Sequence, residues 1–351
     1  MSFTNPIKLA VSDRKPNLFD FATKELSQDA FIAWLLQWGD SSNKQYDPSL
    51  TRCGQEFVKK LICKAIPAYS AREIKSIRAG RQWENIDIWA EVNDEILIII
   101  EDKTNTMIHS NQLERYQKIA EKWCSTKGYQ LVCIYLKTGS ESNSIVKSIE
   151  DKGYSVIDRK ELISFFNEYP CIKNNIFTDF KDRMVFLESA EGAFQTTPIC
   201  EWNDACWKGF YQLLEQNRPV LNWGYVNNFS GGFWNALLNW HQWGDFPLYM
   251  QIEQGNLCFK LSTHPEDTGF EGSIDHTAIR NECYHSLIAH AQKAGLSEIK
   301  KPRRFGKGKY MTVAMIEQDD WLGSQHQAVQ IENAIAKLSK YESFLEDFIN
   351  L

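Results

Sequence analysis

Three features are missing from this sequence, and each absence excludes a class of protein. Its nine cysteines form no CxxC pair and no zinc-finger spacing with histidine, which argues against a structural zinc and against a disulfide framework. No segment approaches the roughly 18–20 uninterrupted apolar residues of a membrane-spanning helix. The N-terminal stretch holds no basic patch followed by an apolar segment, so we expect no signal peptide. The expectation is a cytoplasmic protein without membrane association.

The sequence also lacks an excess of basic residues, since its net charge is −6. An acidic total argues against a protein that coats nucleic acid non-specifically, but it allows a local basic groove. The densest basic run is IKKPRRFGKGKY, residues 299–310, here termed the basic loop. Its cations and its aromatic residues suit phosphate contacts and base stacking, and an ordinary solvated loop is the alternative. The candidate nucleic-acid-binding residues are Lys300, Lys301, Arg303, Arg304, Lys307 and Lys309.

Periodicity predicts a mixed α/β fold in the first part of the chain. KELSQDAFIAWLLQWGD is typical of an amphipathic helix with Ser27 as its N-cap. ENIDIWAEV (84–92) alternates as a strand does, Asn93-Asp94 indicates a turn, and EILIIIEDK (95–103) completes a hairpin. The second strand is too apolar to face water, so we expect it at the centre of a sheet. Further helices and strands up to residue 166 predict a mixed sheet sandwiched by helices.

The composition changes near residue 197, which predicts one domain over residues 1–197 and a smaller α+β domain over residues 198–351. We expect helices at about 201–216, 276–294 and 325–349, and strands at 247–253, 257–262 and 310–316. Six tryptophans crowd the start of this second domain. We expect them to form a core, and a stacking or ligand-binding surface is the alternative. They are Trp202, Trp207, Trp223, Trp234, Trp240 and Trp243.

Charged residues gather at the end of the buried strand. The side chains of Glu101 and Lys103 are two residues apart and project from the same face of the strand, whereas that of Asp102 projects from the other face. Pairing around the predicted turn places Asp87 opposite residues 100–102. Two carboxylates and one ammonium on a rigid hairpin suit metal-dependent phosphodiester hydrolysis, because Mg²⁺ prefers oxygen ligands and a lysine stabilises negative charge. A solvated strand end with a surface ion pair is the alternative.

The arrangement Asp87…Glu101-Asp102-Lys103 resembles the motif of the PD-(D/E)XK nuclease superfamily. KELSQDAFIAWLL, NIDIW, IIIEDKTNT and HSNQLERYQKIA extend the resemblance to a bacterial stand-alone branch of that superfamily, over about residues 20–165. The resemblance implies a restriction-endonuclease-like fold. The residue before Asp87 is Ile86 where the superfamily name has proline.

Roles are carried over from the resemblance residue by residue. Asp87 and Glu101 become ligands of Mg²⁺, or of Mn²⁺ as an alternative, and Lys103 becomes the catalytic lysine. Glu25 matches an additional acidic position near the metal, with a structural role as the alternative. Gln112 and Tyr116 would contact the scissile phosphate region. Asp102 would coordinate metal through its backbone carbonyl, so we expect its side chain to be replaceable.

These observations predict a metal-dependent nuclease that acts on DNA, with defence against foreign DNA as a fold-level analogy. The C-terminal domain would recognise the target or a protein partner. A homodimer is a further expectation, since cutting both strands needs two sites. The alternative is a nuclease-like module that binds nucleic acid or supports assembly without cleaving.

Overall fold

The computed structural model describes residues 15–104, 111–228, 231–269, 272 and 274–350. Residues 1–14, which belong to the stretch inspected for a signal peptide, lie outside this part of the chain. So do residues 105–110, which hold the end of the IIIEDKTNT motif and the first two residues of HSNQLERYQKIA. The chain divides into two compact units. The first unit comprises residues up to 140 together with 148–188, and the second comprises 141–147 and the residues from 189 onward.

The first unit is built on a five-stranded mixed sheet. Its strands follow the order β1-β2-β3-β4-β5, with antiparallel pairing between the first three and parallel pairing from β3 to β5. The strands are β1 (Ile77–Trp83), β2 (Ile86–Val92), β3 (Ile96–Lys103), β4 (Gln130–Lys137) and β5 (Ser155–Asp158). The helices along this part of the chain are α1 (Glu25–Trp38), α2 (Pro48–Ala65), α3 (Gln112–Lys127), α4 (Asn143–Glu150), α5 (Arg159–Asn167) and α6 (Asn175–Gly192).

The central strand β3 is buried along its whole length, as its apolar sequence predicts. Ile96, Ile98 and Ile100 project into the hydrophobic cluster that contains the buried faces of α1 and α2. The intervening side chains project to the opposite face, where α3 packs against β3 and β4. The predicted mixed sheet sandwiched by helices is therefore confirmed, and β3 is held rigidly on both sides.

Two predicted boundaries in the chain are wrong. Helix α1 begins at Glu25 rather than after Ser27, because Lys24 already has an extended backbone and is the N-cap residue, and its carbonyl accepts the Ser27 N–H. The last helix begins at Ile331 rather than at 325. The backbone carbonyls of residues 325 and 327 instead accept hydrogen bonds from the N–H groups of Cys200 and Ile199, which holds this stretch out of the helix.

The second unit contains a five-stranded antiparallel sheet with the order β10-β9-β8-β7-β6. Its strands are β6 (Asn222–Val226), β7 (Phe233–Trp243), β8 (Phe246–Glu253), β9 (Asn256–Ser262) and β10 (Tyr310–Ile316). Its helices are α7 (Asp204–Asn217), α8 (Pro265–Thr268), α9 (His276–Lys293), α10 (Gln318–Trp321) and α11 (Ile331–Ile349). Four of the six tryptophans, at positions 202, 207, 223 and 234, are buried in its core, whereas Trp240 is exposed.

Within the described residues, no helix combines the length and the apolar composition needed to cross a membrane.

Candidate functional site

The β2–β3 hairpin brings the predicted acidic residues together. Asn93 and Asp94 both adopt positive φ, 52° each, which is the left-handed conformation that a tight hairpin turn requires. The register pairs Ile88 with Ile100, so Asp87 reaches the end of β3. There its Oδ2 accepts a hydrogen bond from the Asp102 N–H at 3.2 Å. The pairing of residue 87 with residues 100–102 agrees with the register that the sequence predicts.

Lys103 lies between the two carboxylates on the α3 face of the sheet. Its Nζ is 2.5 Å from Glu101 Oε1 and 3.8 Å from Asp87 Oδ2, and it donates to the Asp102 carbonyl at 3.3 Å. Glu101 and Lys103 are both buried. This burial distinguishes the cluster from a solvated strand end, because buried charges in proteins are paired with other charges or bind metal ions.

Helix α3 adds an amide and a phenol to the same face. Gln112 Nε2 donates to Glu101 Oε1 at 2.6 Å and to Tyr116 Oη at 3.2 Å. The two side chains are neighbours because residues four apart share one helix face. The helix starts at Gln112 after Asn111, which has a left-handed backbone with φ of 61°. The structure therefore places Gln112 against Glu101 and Tyr116 against Gln112.

Glu25 reaches the same end of β3 from helix α1. Its Oε1 accepts the N–H of Thr104, the residue directly after Lys103, at 2.8 Å. A first-turn glutamate is also favoured by the helix dipole. In this structure Glu25 ties the start of α1 to the end of the motif strand.

Electrostatics favour an additional positive charge at this cluster. Burial, together with the charge of Asp87, raises the pKa of the Glu101 carboxyl to about 8, although Lys103 opposes the shift. Burial lowers the pKa of the Lys103 ammonium, but its contact with Glu101 outweighs burial and leaves that pKa raised. Lys103 is thus held as a cation, whereas Glu101 favours its protonated form near neutral pH. A further cation would favour the ionised form of Glu101.

The Asp102 side chain, which we expect from the sequence to be replaceable, lies among buried polar groups. The side chain is fully buried on the α1 face, where Gln28 Nε2 donates to its Oδ1. Its other oxygen, Oδ2, is also buried, and so is the nearby carboxyl of Asp29. Burial and then the charge of Asp29 raise the pKa of the Asp102 carboxyl.

The residues Gln28 and Asp29 were missed in the sequence. Gln28 Oε1 also accepts from the Thr138 hydroxyl at 2.6 Å, so one amide joins α1, β3 and the residue after β4. Arg81 Nη2 lies 3.8 Å from Asp29 Oδ2. The available signal was spacing, because residues 25, 28 and 29 lie on one face of the same helix.

The donor set at the cluster fits a divalent cation. Glu101 Oε2 is buried and accepts no hydrogen bond from the part of the chain that the structure describes. The carboxylate of Asp87 and the carbonyl of Asp102 supply further oxygen atoms of the kind that Mg²⁺ binds. Among the described residues, no three His, Cys, Asp or Glu side chains are grouped closely enough to hold a metal ion on their own. The carbonyl and water would therefore have to complete the coordination.

The basic loop lies in the second unit, and all six of its cations are exposed. Lys300 Nζ is 4.0 Å from Asp320 Oδ2, and Arg303 Nη2 is 3.5 Å from Glu317 Oε1. Exposed pairs of this kind contribute little to stability and are screened by salt. The cations are therefore available to a ligand.

Comparison with known proteins agrees with the hairpin geometry. The family model described as the PD-(D/E)XK nuclease superfamily matches residues 16–222, which is more than half of the chain. The match confirms the resemblance found in the sequence and extends beyond the range of about 20–165 in which it was noticed. Comparisons with curated proteins and with solved structures gave no match.

Proposed function

Because the chain belongs to the PD-(D/E)XK nuclease superfamily, we propose that it is a metal-dependent nuclease that hydrolyses phosphodiester bonds of DNA. The observation that supports this proposal is the convergence of Asp87, Glu101 and Lys103 at one end of a buried hairpin. Superfamily membership suggests nuclease activity. The choice of DNA and of Mg²⁺, with Mn²⁺ as an alternative, is our proposal.

The roles of the residues follow from their positions. A bound divalent cation supplies positive charge to the scissile phosphate and lowers the pKa of water. Asp87, Glu101 and the Asp102 carbonyl would hold it, with Glu25 as an additional acidic group. Lys103 keeps its proton through Glu101 and stabilises negative charge that develops on the phosphate.

Gln112 and Tyr116 would contact the scissile phosphate region. Gln112 also orients Glu101 through its hydrogen bond to Oε1, whereas Oε2 is buried and accepts no hydrogen bond from the described residues. Because Gln112 touches Tyr116 as well, a change at either residue alters how Glu101 is held.

Cleavage of plasmid and linear DNA with Mg²⁺ or Mn²⁺ tests the proposal. We expect Lys103→Ala to lower the cleavage rate by about 100-fold or more, because one preorganised charge-stabilising group contributes on that order. Lys118→Ala, which removes an exposed cation from α3, is the matched control and should cleave as the wild type does. Equal cleavage by wild type and Lys103→Ala on all substrates would show that this site does not catalyse the reaction.

Calorimetry of Mg²⁺ and Mn²⁺ binding tests the ligand set separately. We expect Asp87→Asn to weaken metal binding at least tenfold, since it removes a charged oxygen ligand and leaves the fold of the hairpin in place. Metal binding that depends on Asp87 in a protein that cleaves nothing would favour the alternative, a nuclease-like module retained for binding or assembly. Unchanged affinity in Asp87→Asn would remove this residue from the metal site.

Wider roles are proposed from less direct observations. We propose that residues 1–197 act as the nuclease domain and residues 198–351 as a recognition domain for DNA or a protein partner, with the six basic-loop cations as DNA contacts. A homodimer would supply the two sites that cutting both strands needs. All nine cysteines are free thiols, which suits a reducing cytoplasm. Defence against foreign DNA is an analogy with other proteins of this fold.

A further inference from the structure

The basic loop is fastened at its middle by a buried arginine. Arg280 on α9 is 8% exposed, and its Nη1 donates to the carbonyls of Phe305 and Gly306 at 2.8 and 2.9 Å. Its guanidinium also stacks 3.9 Å from the centre of the Phe305 ring. Lys301 Nζ lies 4.6 Å from the centre of the same ring. Phe305 is therefore occupied by cations and anchors the loop rather than offering a free stacking face.

A second fastening lies at the end of the loop. Thr263 is buried, its N–H donates to the Lys309 carbonyl at 2.7 Å, and its hydroxyl lies 3.2 Å from the same oxygen. That hydroxyl is also 2.9 Å from His276 Nδ1 at the start of α9. The loop backbone is thus held at residues 305–306 and at 309. The backbone positions of its cations are therefore fixed before a ligand binds.

The cations differ in what they contact. Lys300 and Arg303 face carboxylates, and Lys301 lies over aromatic rings. Arg304, Lys307 and Lys309 make no ion pair with the part of the chain that the structure describes. These three are exposed and follow one another along the fastened backbone.

An exposed aromatic pair adjoins the last of these cations. Tyr310 directly follows Lys309, is 51% exposed, and stacks on His264 with a ring separation of 5.5 Å and an interplanar angle of 8°. The two rings meet because Tyr310 pairs with Ser262 across β9 and β10, and His264 lies two residues further on. Supported by His264, the Tyr310 ring offers a flat apolar face to solvent.

A carboxylate lies near the phenol of this ring. Asp267 is held by the Ser262 hydroxyl at 2.5 Å and lies close enough to Tyr310 to raise the pKa of its phenol, after the effect of burial. A phosphate would be repelled by Asp267 and attracted by Lys307 and Lys309.

We propose that this surface binds single-stranded DNA, with an unpaired base stacked on Tyr310 and the adjoining phosphates on Arg304, Lys307 and Lys309. Stacking selects single strands because a duplex keeps the faces of its bases covered, whereas every unpaired base presents one. The proposal rests on the proposed action on DNA and deepens it by naming the form of the substrate.

Fluorescence anisotropy of the full chain, with a labelled single-stranded oligonucleotide and a duplex of the same length, tests this proposal. EDTA is present throughout, so binding is measured without cleavage and its outcome is independent of Lys103. We expect Tyr310→Ala to weaken single-strand binding about 5- to 100-fold, the range that loss of one base–aromatic stack produces, and to change duplex binding less than 2-fold. Tyr310→Phe keeps the ring and should bind as the wild type does.

The cations are tested through salt dependence. Removing Lys307 and Lys309 together should reduce the slope of log affinity against log salt by about 1.4, since each phosphate contact with a single strand contributes about 0.7. Lys293→Ala, an exposed cation on α9, and Tyr46→Ala, an exposed tyrosine of the first unit, are matched controls and should change neither quantity.

Two results would overturn the proposal. One is single-strand affinity of Tyr310→Ala within 2-fold of wild type, with an unchanged salt slope in the double lysine variant. The other is an equal loss of single-strand and duplex affinity in Tyr310→Ala, which would mean that the surface binds phosphates without stacking on a base. Failure of cleavage with intact Tyr310-dependent binding would refute the nuclease proposal and leave this one standing.

Discussion

At the scale of single residues, the raised pKa of the buried Asp102 carboxyl has the clearest consequence for stability. In its protonated form, Asp102 accepts from Gln28 through Oδ1 and has a hydroxyl to donate toward Asp29. Gln28 and Asp29 are both buried. An asparagine presents the same pattern as a protonated aspartic acid, with one acceptor and a donor in place of the hydroxyl.

We therefore expect the two substitutions of Asp102 to differ. Asp102→Ala removes the acceptor of the Gln28 amide and the polar neighbour of Asp29, and should lower the free energy of unfolding by about 1–3 kcal/mol. Asp102→Asn keeps an acceptor for Gln28 and a donor toward Asp29, and should change it by less than about 0.5 kcal/mol. Urea unfolding of the two variants and the wild type at pH 7 measures the difference. Equal destabilisation by both substitutions would show that Asp102 is ionised instead.

The residues of the candidate site were predictable to different degrees for a physical reason. Asp87, Glu101 and Lys103 lie on one hairpin, where strand parity and a short turn determine which side chains meet. Gln28 and Asp29 meet Asp102 across 74 and 73 positions of sequence, and no local pattern encodes that contact. For Asp102, strand parity predicted the direction of the side chain but not the buried Gln28 and Asp29 that lie there.

At the scale of elements, the edge strand β1 was missed for a related reason. Its sequence, IRAGRQW, shows no regular alternation of apolar and polar residues, and only its first residue is buried. Gly80 is needed in it because a Cβ at this position would lie 2.5 Å from the Trp89 ring on β2. The strand is evident from its pairing with β2 and not from the periodicity of its own sequence. The hairpin and the parallel strands, whose burial repeats along the sequence, were predicted correctly.

Asp40 fastens the start of β1 to the end of α1. Its Oδ2 accepts the Ile77 N–H at 2.9 Å, and its Oδ1 accepts the Ser42 N–H at 2.9 Å. We expect Asp40→Ala to lower the free energy of unfolding by about 1–2 kcal/mol, the usual effect of losing a capping side chain.

The contribution of Asp40 should also depend on pH. Burial acts to raise the pKa of its carboxyl, but the hydrogen bonds from Ser42 and Ile77 outweigh burial and lower it below 3.8. A lowered pKa stabilises the folded state fully above 3.8 and progressively less as pH falls through the folded value. The difference in urea midpoint between wild type and Asp40→Asn should be equal at pH 7 and pH 5 and shrink below pH 4. A constant difference down to pH 3 would contradict this assignment.

At the scale of the whole molecule, the second unit depends on a segment that precedes most of it in sequence. Residues 141–147 belong to this unit. Ser142 Oγ donates to Asn222 Oδ1 at 2.7 Å, and the Asn143 N–H donates to Glu215 Oε1 at 2.9 Å. We expect a fragment of residues 189–351 to be about 1–3 kcal/mol less stable than the same unit in the intact chain, since it loses both hydrogen bonds.

A synthetic peptide of residues 138–150 provides the control for that fragment. Added in trans, it should raise the urea midpoint, because it binds only the folded state. The same peptide with Asn143→Pro lacks the N–H that Glu215 accepts, yet proline is tolerated at the first position of a helix. It should therefore stabilise less. Equal effects of the two peptides would show that this hydrogen bond contributes nothing to the second unit.

The segment 141–147 also bears on how the two parts of this protein were inherited. A domain joined end to end can be exchanged by one crossover, but here a segment of the second unit lies in sequence between two parts of the first. Exchange at residue 188 would separate Ser142 and Asn143 from their hydrogen-bond partners, Asn222 and Glu215. The family match runs past that boundary and ends at residue 222, where the last of these partners lies. The nuclease fold and the start of the second unit are thus expected to have diverged as one heritable piece.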